Sequence, residues 1–328
     1  MKKFLIFVVL LAAALPTYLA WWANQVIEPD AKLKLPLAFS IKAGSGSRST
    51  AQQIADAGVP LDPNLFALVA RASGKSARLK AGDYEFEAGT TPLQLLDQLV
   101  RGDFVQQSLS IIEGWTFRQM RAAIAADPRL KHDTLTLSDR ELLEKITPDF
   151  ANPEGLFSPD TYLFAKGTSD LQIYRQAHAL LLKRLGQAWA AREADLPYRS
   201  SYEALIMASI VEKETGRASE RKKIAGVFVN RLRTGMLLQT DPTVIYGMGD
   251  KYQGQIRKRD LLTDTDYNTY TRGGLPPGPI ALPGAAALEA ALNPAKTDAL
   301  YFVARGDGSS HFSANLHEHN RAVNQYQR

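Results

Sequence analysis

The chain has 328 residues, 45% apolar and 22% charged, enough for two or three domains with their own cores. Its 39 basic and 34 acidic residues leave a net charge of +5, and no run of Lys and Arg interleaves with aromatics, which argues against a nucleic-acid partner. With no cysteine, disulfides, thiol nucleophiles, cysteine zinc sites and lipidation on an N-terminal Cys are excluded.

At the N-terminus Lys2 and Lys3 precede a nearly unbroken apolar run from Phe4 to Ala20, extended by Trp21, Trp22 and Ala23. About 20 helical residues at 1.5 Å each just cross a hydrocarbon core of roughly 30 Å, and the two tryptophans fall where interfacial rings sit. Positive charge before the span, and Glu28 and Asp30 after it, predict a transmembrane anchor over residues 1–23 with the body beyond the cytoplasmic membrane. A cleaved signal peptide, cut near Ala12-Ala13-Ala14, is the alternative and puts the body in the same place. Residues 24–37 read as a polar tether with Pro29 and Pro36.

A small motif then recurs. Ala38-Phe39-Ser40-Ile41 predicts a strand, followed by Lys42-Ala43-Gly44, a hydroxyl-rich stretch and a helix over 51–57. Tyr84-Glu85-Phe86 leads through Ala88-Gly89-Thr90-Thr91 to a helix containing Leu95, Leu96 and Leu99. Leu109-Ser110-Ile111-Ile112 leads through Glu113-Gly114 to a helix after Thr116. Gly allows the sharp turn and Ser or Thr caps the helix. This grammar over residues 38–105 resembles the first half of a LysM domain, a βααβ module that binds N-acetylglucosamine polymers; the alternative is a positioning module without a ligand. Residues 106–196 read as a connecting α/β region, mainly helical from 120 on, with a dense cluster of turns and aromatics over Glu154–Tyr162.

The chemistry is expected in residues 197–328. Tyr202–Ala218 reads as a buried helix, apolar nearly all round, with Glu212 and Glu214 near its C-terminal end. There the helix dipole and apolar neighbours both raise a carboxyl pKa, which suits a general acid at a glycosidic oxygen. Two residues of helix rotate about 200°, so Glu212 and Glu214 point to opposite faces. One is then expected in the cleft and the other in structural contacts; Glu214, followed by Thr215 and Gly216, is the candidate acid/base, the alternative being that both are surface ion-pair formers near Lys213 and Arg217. A second helix through Val227–Leu232 follows, then Gly235–Gly247, Tyr267-Asn268-Thr269-Tyr270 and a rigid Pro/Gly-rich loop over Gly273–Gly284. Aromatics mixed with amides and hydroxyls are typical of carbohydrate clefts.

At these residues the chain resembles the endolytic murein transglycosylase (YceG-like) family. The likeness is strongest over Ala208–Thr215, Ser219–Gly249, Tyr267–Tyr270, Gly274–Gly284 and Leu300–Asn320. The resemblance implies an inner-membrane, single-pass α+β protein, its LysM-like subdomain followed by a mainly helical lysozyme/transglycosylase-like catalytic domain in the periplasm. It further implies internal cutting of nascent peptidoglycan strands, which limits their length, contact with peptidoglycan synthases and no cofactor. Carried over by position, the essential glutamate is Glu214, and Gln239, Thr240, Asp241, Tyr267, Asn268 and Tyr270 line the cleft, with Tyr270 or Asn268 orienting the acetamido group or the 6-hydroxyl. Glu212 is the possible second carboxylate on the same helix. A hydrolytic muramidase would need a second carboxylate to activate water, for which Asp241 and Glu220 are candidates. A non-catalytic wall-binding scaffold is the reading from another class. His317-Glu318-His319 lacks metal-site spacing, and no Gly-rich phosphate loop precedes a helix.

Overall fold

A computed structural model describes residues 14–29 and 34–327. Most of the expected membrane span, Phe4–Ala20, therefore lies outside the described residues. Residues 14–23 are helical (α1). Among the described residues no helix is long and apolar enough to cross a membrane. The chain divides into two compact units, Met1–Gln107 with Leu163–Thr168, and Ser108–Tyr162 with Ser169–Arg328.

The first unit runs β1 (Leu37–Ile41), α2 (Ser47–Asp56), α3 (Pro63–Ala72), β2 (Gly82–Phe86) and α4 (Pro92–Arg101). β1 and β2 pair antiparallel with Phe39 opposite Tyr84, so the order up to β2 is βααβ. The two-residue period of the strands puts Phe39, Ile41, Tyr84 and Phe86 on the buried face. α4 begins where Thr91 accepts the Gln94 N–H and the Gln94 side chain accepts the Thr91 N–H, a reciprocal cap. It lays Leu95, Leu96 and Leu99 into the same core. Leu19, Ala23 and Ile27 belong to that core too, and the Ile27 N–H donates to the Thr90 carbonyl at 3.0 Å. Ile27, read from sequence as tether, is thus packed structure: an isolated apolar residue in a polar stretch carries no periodic signal.

β3 (Gln106–Ile111) and β4 (Asp160–Ala165) form a two-stranded sheet, α5 (Phe117–Ala126) and α6 (Asp139–Glu144) lying between them in sequence. β4 interrupts a stretch that reads as mainly helical, because its Thr, Tyr and Phe favour a pleated surface more than periodicity alone suggests. The expected cap on α5 is present: Thr116 and Gln119 bond reciprocally.

The second unit continues with α7 (Asp170–Ala190), α8 (Ser201–Glu214), α9 (Ala218–Arg233), α10 (Asp241–Met248), α11 (Lys258–Leu262) and α12 (Ala285–Leu292), then β5 (Tyr301–Ala304), β6 (Ser310–Ser313) and α13 (Leu316–Tyr326). Mixed α+β architecture, as expected, is therefore what the chain adopts. α8 is the central helix: every residue from Ala204 to Val211 is buried. It packs on α7, α9 and α12, and the alanines of α12 let that helix approach closely. Gly226 of α9 admits the segment after α12 at similarly short range, since a Cβ there would lie 2.5 Å from the Ala295 carbonyl oxygen. α8 ends at Glu214, four residues before the expected end. Thr215 is extended (φ −144°, ψ 132°), and its hydroxyl accepts the Arg217 N–H at 3.0 Å, which turns the chain into α9. This local side-chain bond competes with continued helix.

Candidate active site

The early stop makes Glu214 the last helical residue of α8, and three contacts fix the end of that helix. The Ser209 hydroxyl accepts the Ile280 N–H at 3.0 Å, pinning the Pro/Gly-rich loop to the helix. Glu212 Oε2 accepts the Gly284 N–H at 2.9 Å, at the start of α12. Lys213 Nζ donates to the Gly114 carbonyl at 3.2 Å. Glu212 and Glu214 therefore have separate roles. Glu212 anchors α12, whereas Glu214 Oε2 accepts a hydrogen bond from Thr240 Oγ1 at 2.7 Å.

Thr240 is placed by a strained turn. Gln239 sits at φ +47°, a left-handed conformation uncommon for a residue with a side chain. Its N–H donates to the Thr269 carbonyl at 3.1 Å, and the Thr240 N–H donates to Thr269 Oγ1 at 3.1 Å. Thr243 donates to the Thr240 carbonyl at 2.7 Å and meets Thr269 Oγ1 at 2.8 Å. This leaves the Gln239 side chain exposed, with Thr240 buried behind it. Asp241 opens α10 and accepts from the Tyr270 hydroxyl at 2.6 Å.

Burial pushes the Glu214 carboxyl above the ordinary range for glutamate. The Thr240 hydrogen bond opposes this, the Asp241 charge reinforces it, and the Arg231 cation opposes it again. Desolvation of the charged form dominates, so protonated Glu214 persists to higher pH than a free glutamate.

Of the residues expected around Glu214, the structure gathers Gln239, Thr240, Asp241 and Tyr270. Asn268 has a different place. It is fully buried, its Nδ2 donates to the Leu261 and Thr263 carbonyls at 3.1 and 2.7 Å, and its Oδ1 accepts the Tyr270 N–H at 2.8 Å. It shapes the turn that carries Tyr270, and the reach toward a sugar expected of it from sequence is not available to an amide so occupied. Tyr267 faces a second group: its ring meets Tyr246 at 4.7 Å, and it hydrogen-bonds Asn152 and Tyr246. Glu220 accepts the Ser310 N–H at 3.0 and 3.1 Å and supports β6. Among the two carboxylates considered for activating water, only Asp241 acts on Glu214 electrostatically.

Sequence reasoning missed two further buried residues, one tied to the segment before Thr240 and one to the Tyr246 group. Arg231 is buried on α9; its Nε donates to the Leu300 carbonyl at 2.7 Å and its Nη1 to those of Leu237 and Leu238 at 3.3 and 2.7 Å. It clamps the segment that leads into Gln239 and Thr240. A cation at helical spacing from Ile224, Val227 and Phe228 was the available signal. Glu154 is 5% exposed. It accepts the Phe117 N–H at 2.9 Å and a hydrogen bond from Tyr246, and burial lifts its pKa to about 7. Its stretch stood out by its turns and aromatics, but nothing marked the carboxylate as buried. Among the described residues no three His, Asp or Glu side chains could hold a metal ion. His319 stacks on Tyr301 at 5.1 Å.

The sequence model described as the YceG-like family matches residues 39–325. A Bacillus subtilis (strain 168) protein named endolytic murein transglycosylase is 31% identical, the match covering 93% of this chain and 89% of the relative. A Streptococcus pneumoniae (strain D39) protein of the same name is 27% identical over 98% of this chain, which spans 64% of that longer protein. A crystal structure of a yceG-like protein from Listeria monocytogenes superposes with a TM-score of 0.54 at 31% identity, covering 87% of this chain and 97% of the other.

Proposed function

The chain belongs to the YceG-like family, and from that premise we propose that it is an endolytic murein transglycosylase with Glu214 as its acid/base. The observation that carries the assignment is the Glu214 carboxyl, held by Thr240 at 2.7 Å with its pKa raised by burial. Protonated Glu214 donates to the β-1,4 glycosidic oxygen between N-acetylmuramic acid and N-acetylglucosamine, and an oxocarbenium-like state forms, assisted by the 2-acetamido group. The Glu214 carboxylate then takes the proton of the muramyl 6-hydroxyl, which closes onto C1. The product is a 1,6-anhydromuramyl end, and no water is consumed. One carboxyl group serves both steps, unlike the two-carboxylate hydrolases. Asp241 is tied to Tyr270 at 2.6 Å, an arrangement better suited to orienting a sugar than to activating water.

In this reading α1 belongs to an inner-membrane anchor, the two units lie in the periplasm, and internal cuts limit the length of strands delivered by peptidoglycan synthases. The βααβ order of the first unit supports a LysM-like glycan-positioning role for it. Digestion of purified strands followed by mass spectrometry tests the chemistry. Ends about 18 Da, one water, lighter than hydrolytic ends are expected; ordinary reducing ends would make the protein a muramidase. Binding of strands without cleavage would make it a scaffold.

A further inference from the structure

The face of α10 bearing Val244 and Gly247 closes one side of a groove of about 330 Å³ that the mechanism does not use. Its other wall is the segment between α10 and α11, and the lining side chains alternate along it: Lys251, Gln253, Gln255 and Arg257, with Arg259 beyond. All five line it, so the groove collects three cations and two amides. Its one carboxylate, Asp260, is engaged by the Arg257 N–H at 2.8 Å and lies 3.6 Å from Arg259 Nε. Among the described residues neither Lys251 nor the Arg257 guanidinium has an ion-pair partner. A concave surface with uncompensated positive charge and amide donors suits carboxylates flanked by peptide groups.

We infer that this groove is a subsite for the acidic peptide carried by the muramic acid of the strand, an inference that rests on the function proposed above. Charge selects the peptide over the sugars. N-acetylglucosamine is neutral, and the muramyl lactyl carboxyl is consumed in the amide bond to the peptide, so the carboxylates of such a strand lie in its peptides. The distances agree. Val244 and Gly247 lie three and six residues past Asp241 on α10, about 4.5 and 9 Å along the axis. An extended peptide advances about 3.4 Å per residue, so its second and third residues reach this depth when the muramyl sugar sits beside Asp241 and Glu214.

The test uses the full-length protein in detergent and lipid-free glycan strands in two forms, peptide-bearing and stripped by an amidase. A Lys251→Glu/Arg257→Glu double variant should raise KM on peptide-bearing strands about tenfold at low salt, the size expected of two screened contacts reversed. Both kcat and all parameters on stripped strands should stay unchanged, and added salt should narrow the difference. The milder Lys251→Gln/Arg257→Gln pair should give a smaller shift in the same direction, which separates charge from misfolding. An equal rise on both strand types, or no change on the peptide-bearing form, overturns the inference. Fluorescence anisotropy with a labelled free stem tetrapeptide keeps the two claims apart. Wild-type protein that binds the peptide, loses it in the double variant, but cleaves neither strand would retain the subsite and sink the enzymatic reading; wild-type protein that does not bind it sinks the subsite.

Discussion

Arg231 and Glu154 are buried ionisable groups, one clamping the segment that leads into Thr240 and the other held by Phe117 and Tyr246, and their effects separate by measurement. Arg231→Lys keeps the cation but lacks the fork that serves the carbonyls of Leu237, Leu238 and Leu300. At least one buried carbonyl then goes unpaired, at a cost of about 1–3 kcal/mol in urea unfolding, while the pH profile of kcat/KM keeps its position. Thr240→Val removes the hydrogen bond that holds the Glu214 pKa down. In the proposed mechanism the free enzyme carries protonated Glu214, so activity falls as pH rises through its pKa, and this alkaline limb should move to higher pH in Thr240→Val. Glu214→Gln should lower kcat by about 10²–10⁴-fold with little change in Tm. Glu154 behaves as a stability switch. Its folded pKa of about 7 lies above the ordinary 4.5, so between those values the folded state holds a proton that the unfolded chain has released. Stability is therefore highest below about pH 4.5 and declines as pH climbs toward 7, by on the order of 3 kcal/mol for this group. Urea midpoints from pH 5 to 8 should show that slope in the wild type and lack its Glu154 share in Glu154→Gln. That Glu214 lies late in a buried helix was legible, because a carboxylate near the end of an apolar run is a local pattern. The burial of Arg231 was signalled only by its helical spacing and that of Glu154 not at all, because both are buried by segments about 70 and 40 residues away in sequence, Leu300 and Phe117.

At the level of elements, capping chemistry was the most readable feature. The three Gly-and-hydroxyl turns each lead into a helix, α2, α4 and α5, and two of them carry the reciprocal Thr–Gln cap. Where a side chain bonds locally, as at Thr215, an element ends sooner than its hydrophobic pattern. β4 was hidden by the same preference for pattern over propensity. Packing between elements is invisible to both, and Gly226 shows the consequence. In a helix interior Gly→Ala ordinarily stabilises by about 1 kcal/mol. At Gly226 the added Cβ would meet the Ala295 oxygen at 2.5 Å and Thr297 Cγ2 at 2.9 Å, an overpacking cost of about 1–3 kcal/mol or more. The clash outweighs the propensity gain, so Gly226→Ala should lower Tm and, by shifting α9 and with it Arg231, slow turnover too.

For the molecule as a whole, an α+β architecture was legible, whereas the boundary between the expected anchor and the folded unit was not. The sequence reads residues 24–37 as a tether, yet Leu19, Ala23 and Ile27 all lie in the core of the first unit. Soluble versions trimmed at the apparent end of the apolar run would lose part of that core. A chain beginning at residue 28 forfeits the burial of two large aliphatic side chains, about 1.5–3 kcal/mol each. It should melt several degrees below one beginning at residue 14, by calorimetry of the two side by side. The Ile27 N–H bond to Thr90 at 3.0 Å and the burial of Ala23 also bear on geometry. A leash lets its passenger roam a hemisphere; a stalk keeps it at one height. For a chain held in a bilayer as proposed, this splice makes the membrane surface a datum from which the first unit stands at a fixed elevation, as a gauge is mounted on a bench.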